Sequence, residues 1–277
     1  MSDRYCVIGN PIAHSKSPEI HAAFARQTGQ KLVYERCLAP VEAFAATVRK
    51  LIEAGYRGAN VTVPFKLEAA ALALTLSARA RAAGAVNTLS FVGADIVGDN
   101  TDGAGLVNDI VRNARVQLAG KRVLLLGAGG AARGAILPLL HEHPHQIVIA
   151  NRTVATAEAL AGHFAAHTQH AQQLSARAFE AVAELDGEPF DVIINATSAG
   201  LAAAMPPVPA AAFASHTLAL DMMYGNKPTL FMEFAAAHGA TARDGLGMLV
   251  EQAAEAFAIW RGVRPATEAI LAQMRAP

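Results

Sequence analysis

The sequence predicts an α/β fold in two parts, and three observations carry that expectation. Short apolar runs of strand type recur along the chain, from Tyr5–Gly9 near the start to Ala240–Arg243 near the end. Between them lie stretches rich in alanine, with apolar residues at helical spacing. Strands that alternate with helices imply a mostly parallel sheet covered on both faces. The third observation is a single junction, Gly127-Ala128-Gly129-Gly130-Ala131-Ala132, which joins the apolar run Arg122–Leu126 to an alanine-rich segment. In a Rossmann-type dinucleotide-binding unit the first glycine makes the tight turn. The second lets the backbone approach a pyrophosphate, and the small third residue lets helix and strand pack closely. The pyrophosphate then rests on a helix N-terminus, where free N–H groups point at it.

Bulk properties narrow the class. Lys plus Arg and Asp plus Glu both number 23 in the 277 residues, so net charge is zero. No basic stripe points to nucleic acid, and no polybasic tail points to a membrane surface. Hydrophobic residues make up 53% of the chain. Much of this is alanine, and no uncharged run approaches the ~18 residues of a membrane span. Met1-Ser2-Asp3-Arg4 leads straight into a strand, without the apolar stretch of a signal peptide, so a cytoplasmic protein is expected. Cys6 and Cys37 both fall in predicted strands and read as small core hydrophobes, which fits a reducing compartment.

Taken in order, Tyr5–Gly9 is a strand and Asn10–Ser17 a polar loop. Ser17 is expected to cap a helix that starts at Pro18 and ends near Gly29. Leu32–Leu38 is a strand, 40–54 a helix stopped by Gly55, and Ala59–Val63 a strand closed by Pro64. Short helices run through Ala83, and Val86–Asp99 alternates like a hairpin turning at Gly93-Ala94-Asp95. These elements form a first domain, residues 1–101. Asp102–Leu118 reads as a linking helix. Residues 119–246 form the dinucleotide domain, with strands at Arg122–Leu126, Gln146–Ala150, Gln172–Leu174, Asp191–Asn195, Thr217–Met222 and Ala240–Arg243. A long helix, Gly247–Trp260, and a short one after Pro265 are expected to return to the first domain (247–277), which would put an active site in the interdomain cleft.

Several residues carry chemistry. Strand two of a dinucleotide fold ordinarily ends in an acid for the ribose 2′-OH of NAD; here stand Asn151-Arg152-Thr153. An arginine there can pair with a 2′-phosphate, and the threonine can add a hydrogen bond, so NADP is the expected cofactor. The first domain concentrates short polar side chains at strand ends: Ser15, Ser17, Asn60, Thr62 and Asn87. Asn60 and Thr62, two apart, share one strand face. Each alone reads as a cap or turn residue; together they suit a ligand rich in hydroxyls. Lys66 lies just past a strand end, where open α/β sheets place ligands, though most lysines are solvated surface charges. Asp102 opens a helix, where an acid is favoured by the dipole in any case. Spacing alone does not pair the two. The ten histidines lack metal-ligand spacing.

On these residues the chain resembles the shikimate dehydrogenase family, nearly end to end. The resemblance rests on Ser15-Lys16-Ser17-Pro18, Asn60-Val61-Thr62-Val63-Pro64-Phe65-Lys66, Gly84-Ala85-Val86-Asn87-Thr88 and Asp99-Asn100-Thr101-Asp102-Gly103. Gly127 to Ala131, Asn151-Arg152-Thr153, Asn195-Ala196-Thr197-Ser198 and Asp244-Gly245-Leu246-Gly247-Met248 complete the pattern. It implies reversible, NADP-linked reduction of 3-dehydroshikimate to shikimate, on the route through chorismate to aromatic amino acids. It assigns Lys66 and Asp102 as the catalytic pair, and Ser15, Ser17, Thr62, Asn87 and Gln252 to substrate, with Asn60 supporting that pocket. Tyr224 and Gly245 fall where substrate and cofactor meet, and Thr197, Ser198 and Met222 near the nicotinamide. One departure stands out: many members carry a second basic residue after the Asn-Arg-Thr triplet, whereas this chain has Val154-Ala155-Thr156.

Reducing a ketone needs a hydride on carbon and a proton for the developing alkoxide, and a positioned acid contributes about 10²–10⁴-fold. A carboxylate beside Lys66 would favour its ammonium form, which suits an acid poised to protonate the alkoxide but weakens Lys66 as a base in the oxidative direction. The sequence therefore does not decide whether Lys66 or Asp102 moves the proton. Two alternatives share the scaffold. One is a dehydrogenase of quinate or an aminoshikimate; the other is a noncatalytic ligand sensor, against which Lys66, Asp102 and the intact glycine loop argue. A monomer or homodimer is compatible with the sequence.

Overall fold

The computed structural model describes residues 2–166, 171–184, 187–197 and 204–275. The chain divides into two compact units, Met1–Leu106 with Leu249–Pro277, and Val107–Met248.

The first unit opens with β1 (Asp3–Gly9), α1 (Ser17–Thr28), β2 (Leu32–Leu38), α2 (Phe44–Glu53) and β3 (Tyr56–Val61). Then follow α3 (Lys66–Leu72), β4 (Thr75–Leu76), α4 (Ala78–Ala83), β5 (Thr88–Val92), β6 (Asp95–Asp99) and α5 (Asp102–Asn108). The sheet has the order β2-β1-β3-β5-β6-β4. It is mixed, because β5 runs antiparallel to both β3 and β6. Period-two alternation along β1 sends Cys6 and Ile8 into a core with Phe44, Phe65 and Leu89 on one side. Tyr5 and Val7 go to the other, against Tyr34 and Trp260. Both faces are therefore covered.

The second unit contains β7 (Arg122–Leu126), α6 (Gly130–His141), β8 (Gln146–Asn151), α7 (Val154–Ala165), β9 (Leu174–Ala178) and β10 (Val192–Asn195). It continues through β11 (Leu218–Asp221), α8 (Leu230–Ala237) and β12 (Thr241–Arg243). The sheet is parallel throughout, in the order β12-β11-β10-β7-β8-β9. Counted within the unit this is 6-5-4-1-2-3, the doubly wound dinucleotide order. Leu124, Leu126, Val148 and Ile193, all fully buried, explain why β7, β8 and β10 read as continuous apolar runs.

Two more helices close the chain, α9 (Leu246–Arg261) and α10 (Glu268–Arg275). From Leu249 onward α9 belongs to the first unit. Trp260 fastens it there: its ring stacks on Tyr5 at 4.6 Å, and its Nε1–H donates to the Leu89 carbonyl at 3.1 Å.

Four sequence expectations need correction. Ser17 is not the cap of α1 but its first residue; Lys16 holds the cap position, and the Ser15 hydroxyl accepts the Ser17 N–H at 3.3 Å. The third strand ends at Val61, and Thr62 begins a turn closed by Phe65 N–H donating to Thr62 O at 3.0 Å. The helix expected over Asp102–Leu118 ends in a π-helical turn, Asp109–Asn113, after which Arg115 takes a φ of 59°. Ala171–Gln173 is a 3₁₀ turn, and the strand expected at Gln172–Leu174 runs over Leu174–Ala178 instead. Every residue of that strand is half-buried at a sheet edge, so it lacks the apolar signature of its neighbours.

Candidate active site

In the first unit β1 lies between β2 and β3, so the connections after β1 and β3 diverge and leave an opening at the C-terminal ends of these strands. β6 runs in the same direction as β3, while antiparallel β5 begins at that end. Four connections thus converge on one edge. The loop after β1 brings Ser15 and Ser17, the turn after β3 brings Thr62 and Lys66, the approach to β5 brings Asn87, and the exit from β6 brings Asp102.

Lys66 opens α3 and Asp102 opens α5, and across 36 positions of sequence Lys66 Nζ donates to Asp102 Oδ2 at 2.6 Å. The Asp102 side chain is 3% exposed and that of Lys66 23%, so the carboxylate is enclosed and the ammonium keeps one open side. Asn87 holds the other carboxylate oxygen, its Nδ2 donating to Asp102 Oδ1 at 2.8 Å.

Backbone chemistry fixes the Asn87 amide. Thr101 N–H can only donate, and it meets Asn87 Oδ1 at 2.8 Å. Nδ2 must therefore face Asp102, Thr101 Oγ1 at 2.9 Å and Gln252 Oε1 at 3.0 Å. Two amide hydrogens serve three acceptors. With its oxygen turned to Asn87, Gln252 offers Nε2 as a donor for a ligand oxygen. Behind Asn87 a chain of donors runs one way: Tyr34 OH to Asn60 Oδ1 at 2.7 Å, Asn60 Nδ2 to Thr88 Oγ1 at 3.1 Å, and Thr88 Oγ1 to Asn87 Oδ1 at 2.9 Å. Burial pushes the Tyr34 phenol well up, so it stays a donor.

Surrounding groups set the frame. Ser15 and Ser17 are buried and bonded to each other at 3.2 Å, and Arg36 Nε donates to the Ser15 carbonyl at 2.9 Å. Arg79 forks onto Asp99 at 2.7 and 3.1 Å and reaches Glu255 of α9 at 3.0 Å. Burial alone would raise the Asp99 carboxyl, but Arg79 and Ser77 outweigh it and hold it below the usual range. Glu255 is one helical turn from Gln252, so the same pair fixes the register that aims Gln252 at Asn87.

In the second unit Gly127, at a φ of 100°, turns the chain between β7 and α6, a backbone region that side chains rarely enter. A Cβ there would also lie 3.2 Å from both Ala196 O and Thr197 Cγ2. Gly127 N–H donates to Ala150 O at 2.7 Å, which draws the end of β8 beside the loop. Ala128 is buried and Ala131 half-buried. Among the described residues, no heavy atom beyond the neighbouring backbone comes within 4 Å of where a Cβ would stand on Gly129 or Gly130, so the loop is open over the start of α6. Asn151 Nδ2 donates to Thr153 O at 3.0 Å, and Arg152 and Thr153 are exposed. Thr153 caps α7 without a side-chain bond, and Arg152 has no ion pair among the described residues. The bare glycine turn, the open helix start and the uncommitted guanidinium fit an NADP molecule.

Thr197 is held by Asn195, whose Oδ1 accepts its N–H at 3.1 Å and its hydroxyl at 2.7 Å. Asn195 in turn donates to Asp221 Oδ2 at 3.2 Å. Met222 N–H donates to Asn195 O at 3.0 Å, and a Cβ on Gly245 would fall 2.3 Å from Met222 O, so only glycine fits there. Tyr224 is half-buried in the segment after β11. Ser198 lies outside the described residues. Thr88, Thr101 and Asn195 stand in the quoted motifs without an assigned role, and Tyr34 and Asp221 were not singled out, because nothing local marks a polar residue that will support another one.

Residues 7–89 match the shikimate dehydrogenase substrate binding domain, 109–204 shikimate / quinate 5-dehydrogenase, and 245–275 the shikimate 5′-dehydrogenase C-terminal domain. The chain is 63% identical to shikimate dehydrogenase (NADP(+)) of Herminiimonas arsenicoxydans, over 100% of this chain and 98% of the relative. The crystal structure of an Ael1 enzyme from Pseudomonas putida superposes with a TM-score of 0.92 at 46% identity, covering 100% of this chain and 99% of the other. A shikimate 5-dehydrogenase from Thermus thermophilus, in complex with NADP(H) and shikimate, gives a TM-score of 0.85 at 33% identity, covering 99% and 98%. The chain belongs to the NADP-dependent shikimate dehydrogenase family.

Proposed function

We propose that this protein is an NADP-dependent shikimate dehydrogenase that interconverts 3-dehydroshikimate and shikimate. The observation that carries the reading is the enclosed Lys66–Asp102 pair at 2.6 Å, with Asn87 and Gln252 beside it. Bound NADPH supplies the hydride for the ketone carbon. Lys66 donates to the ketone oxygen and delivers a proton as the alkoxide forms, while Asp102 holds the ammonium in place. Asn87 keeps Asp102 oriented and shares the substrate with Gln252. Ser15, Ser17, Thr62 and Tyr224 bind the remaining oxygens, and Asn60 supports the pocket through Thr88. Gly127, Ala128, Gly129, Gly130 and Ala131 cradle the pyrophosphate, with Asn151, Arg152 and Thr153 on the adenosine side and Arg152 on the 2′-phosphate. Thr197, Met222 and Gly245 line the nicotinamide side.

The test is NADPH oxidation on addition of 3-dehydroshikimate, with shikimate and quinate compared in reverse. Turnover with clear preference for shikimate is expected. Absence of turnover would leave a ligand sensor, and equal use of quinate would move the reading to a shikimate/quinate enzyme. The free thiols Cys6 and Cys37 favour work in a reducing compartment such as the cytoplasm.

A further inference from the structure

Arg133 closes the first turn of α6, where its N–H donates to the Gly129 carbonyl at 3.0 Å. It is half-buried, yet among the described residues its side chain has no ion pair and no hydrogen bond. Arg79, Arg243, Arg261 and Arg264, also half-buried, each meet a carboxylate. On a helix the Cα–Cβ bond tilts toward the N-terminus, so a side chain covers the turn before its own. The turn before Arg133 contains Gly129 and Gly130, which have no side chains and leave the space above them open. No acid occurs in α6, and α7, the next helix bordering this loop, contains neither lysine nor arginine.

We propose that Arg133 is a second cofactor-binding guanidinium, directed at the pyrophosphate, with a task distinct from that of Arg152. This rests on the NADP-binding reading above. A pyrophosphate at a helix N-terminus already receives backbone N–H groups, and a guanidinium adds a charge-assisted donor pair. Because the pyrophosphate is common to NADP and NAD, Arg133 contributes to affinity and not to the choice between them.

The test is isothermal titration calorimetry with NADP, NAD and ADP-ribose on the full chain. Arg133→Ala and Arg133→Gln should each weaken all three by a similar factor, about tenfold or more. Arg133→Lys should retain part of the affinity, and the unfolding midpoint without ligand should not move, since no partner among the described residues is lost. Wild-type affinity in both Arg133→Ala and Arg133→Gln would overturn the proposal, as would a loss confined to NADP, which would place the side chain on the 2′-phosphate. A wild-type protein that binds none of the three overturns the functional reading, and this inference with it.

Discussion

The two units build their halves of the chemistry by opposite means. In the first, the central polar side chains of the site are bonded to one another: Lys66 to Asp102, Asp102 to Asn87, Asn87 to Thr101 and Gln252, Asn60 to Tyr34 and Thr88. In the second, the site is defined by what is missing, with glycines that carry no side chain and the side chains of Arg152 and Thr153 left without partners among the described residues. A side-chain network sets atoms against a reacting centre and keeps them there with little reorganisation. A bare loop presents main-chain donors to an anion that every dinucleotide shares. The contrast implies that substitutions at the Lys66–Asp102 pair act on rate, and those at the glycine loop and Arg152 on affinity.

Lys66→Ala is the strongest way to break that contrast. If Lys66 protonates the alkoxide or stabilises it as it forms, its effect belongs to the transition state, and kcat should fall by roughly 10²-fold or more while KM changes little. Lys66→His should keep some activity with a shifted pH profile, since imidazole titrates near neutrality. If Lys66 only grips a substrate oxygen, ground state and transition state lose alike, and KM rises with kcat preserved. Circular dichroism and NADP affinity must stay normal in both variants.

Arg152→Ala probes the other side. A charge-assisted hydrogen bond contributes about 1.5–3 kcal/mol, so NADP should bind about tenfold or more weaker, with NAD little changed. Equal losses for both cofactors, in calorimetry or in KM, would reassign Arg152 to structure. Maximal rate at saturating NADP should remain near wild type, because no atom of Arg152 is assigned to the reacting carbon.

What the sequence revealed follows the same division. The dinucleotide turn is local: strand, glycines and helix lie within about fifteen residues, and each glycine has a backbone reason that reads directly from the motif. The Lys66–Asp102 contact is not local, for it depends on β5 and β6 folding back so that α3 and α5 begin side by side. Spacing could not supply that, and the pairing came from resemblance alone. Asn87 was legible as a polar residue at a strand end, but the orientation of its amide depends on Thr101 N–H, which no sequence pattern encodes. Ser17 misled because a Ser-Pro pair reads as cap and first turn, whereas here Ser15 takes the capping contact from one position further out. The Leu174–Ala178 strand was displaced because a half-buried edge carries little periodicity.

The smallest expected effect on the chemistry itself concerns a residue behind the first site. His21 is fully buried on α1, stacked on Tyr34 at 4.1 Å and packed against Phe24 and Phe257. Burial lowers its pKa from 6.5 to about 3, and a contact from Asn60 offsets only part of this. Between those values the unfolded chain holds one more proton than the folded one, so stability rises with pH across the window. Each unit of acidification below the ordinary histidine value should cost about 1.4 kcal/mol through this group alone. Asp99 and Glu35, whose carboxyls are held below their ordinary 3.8 and 4.5, stabilise the fold above those values and lose that contribution only in stronger acid. Urea unfolding at a series of pH values from neutral down to about 5 can therefore isolate the histidine. His21→Phe keeps the ring stack and removes the titration, so the variant should gain on the wild type as pH falls. Parallel stability curves over that range would mean that His21 takes up its proton inside the fold, with an anion or water beside it, and the dry aromatic setting assigned to it would be wrong.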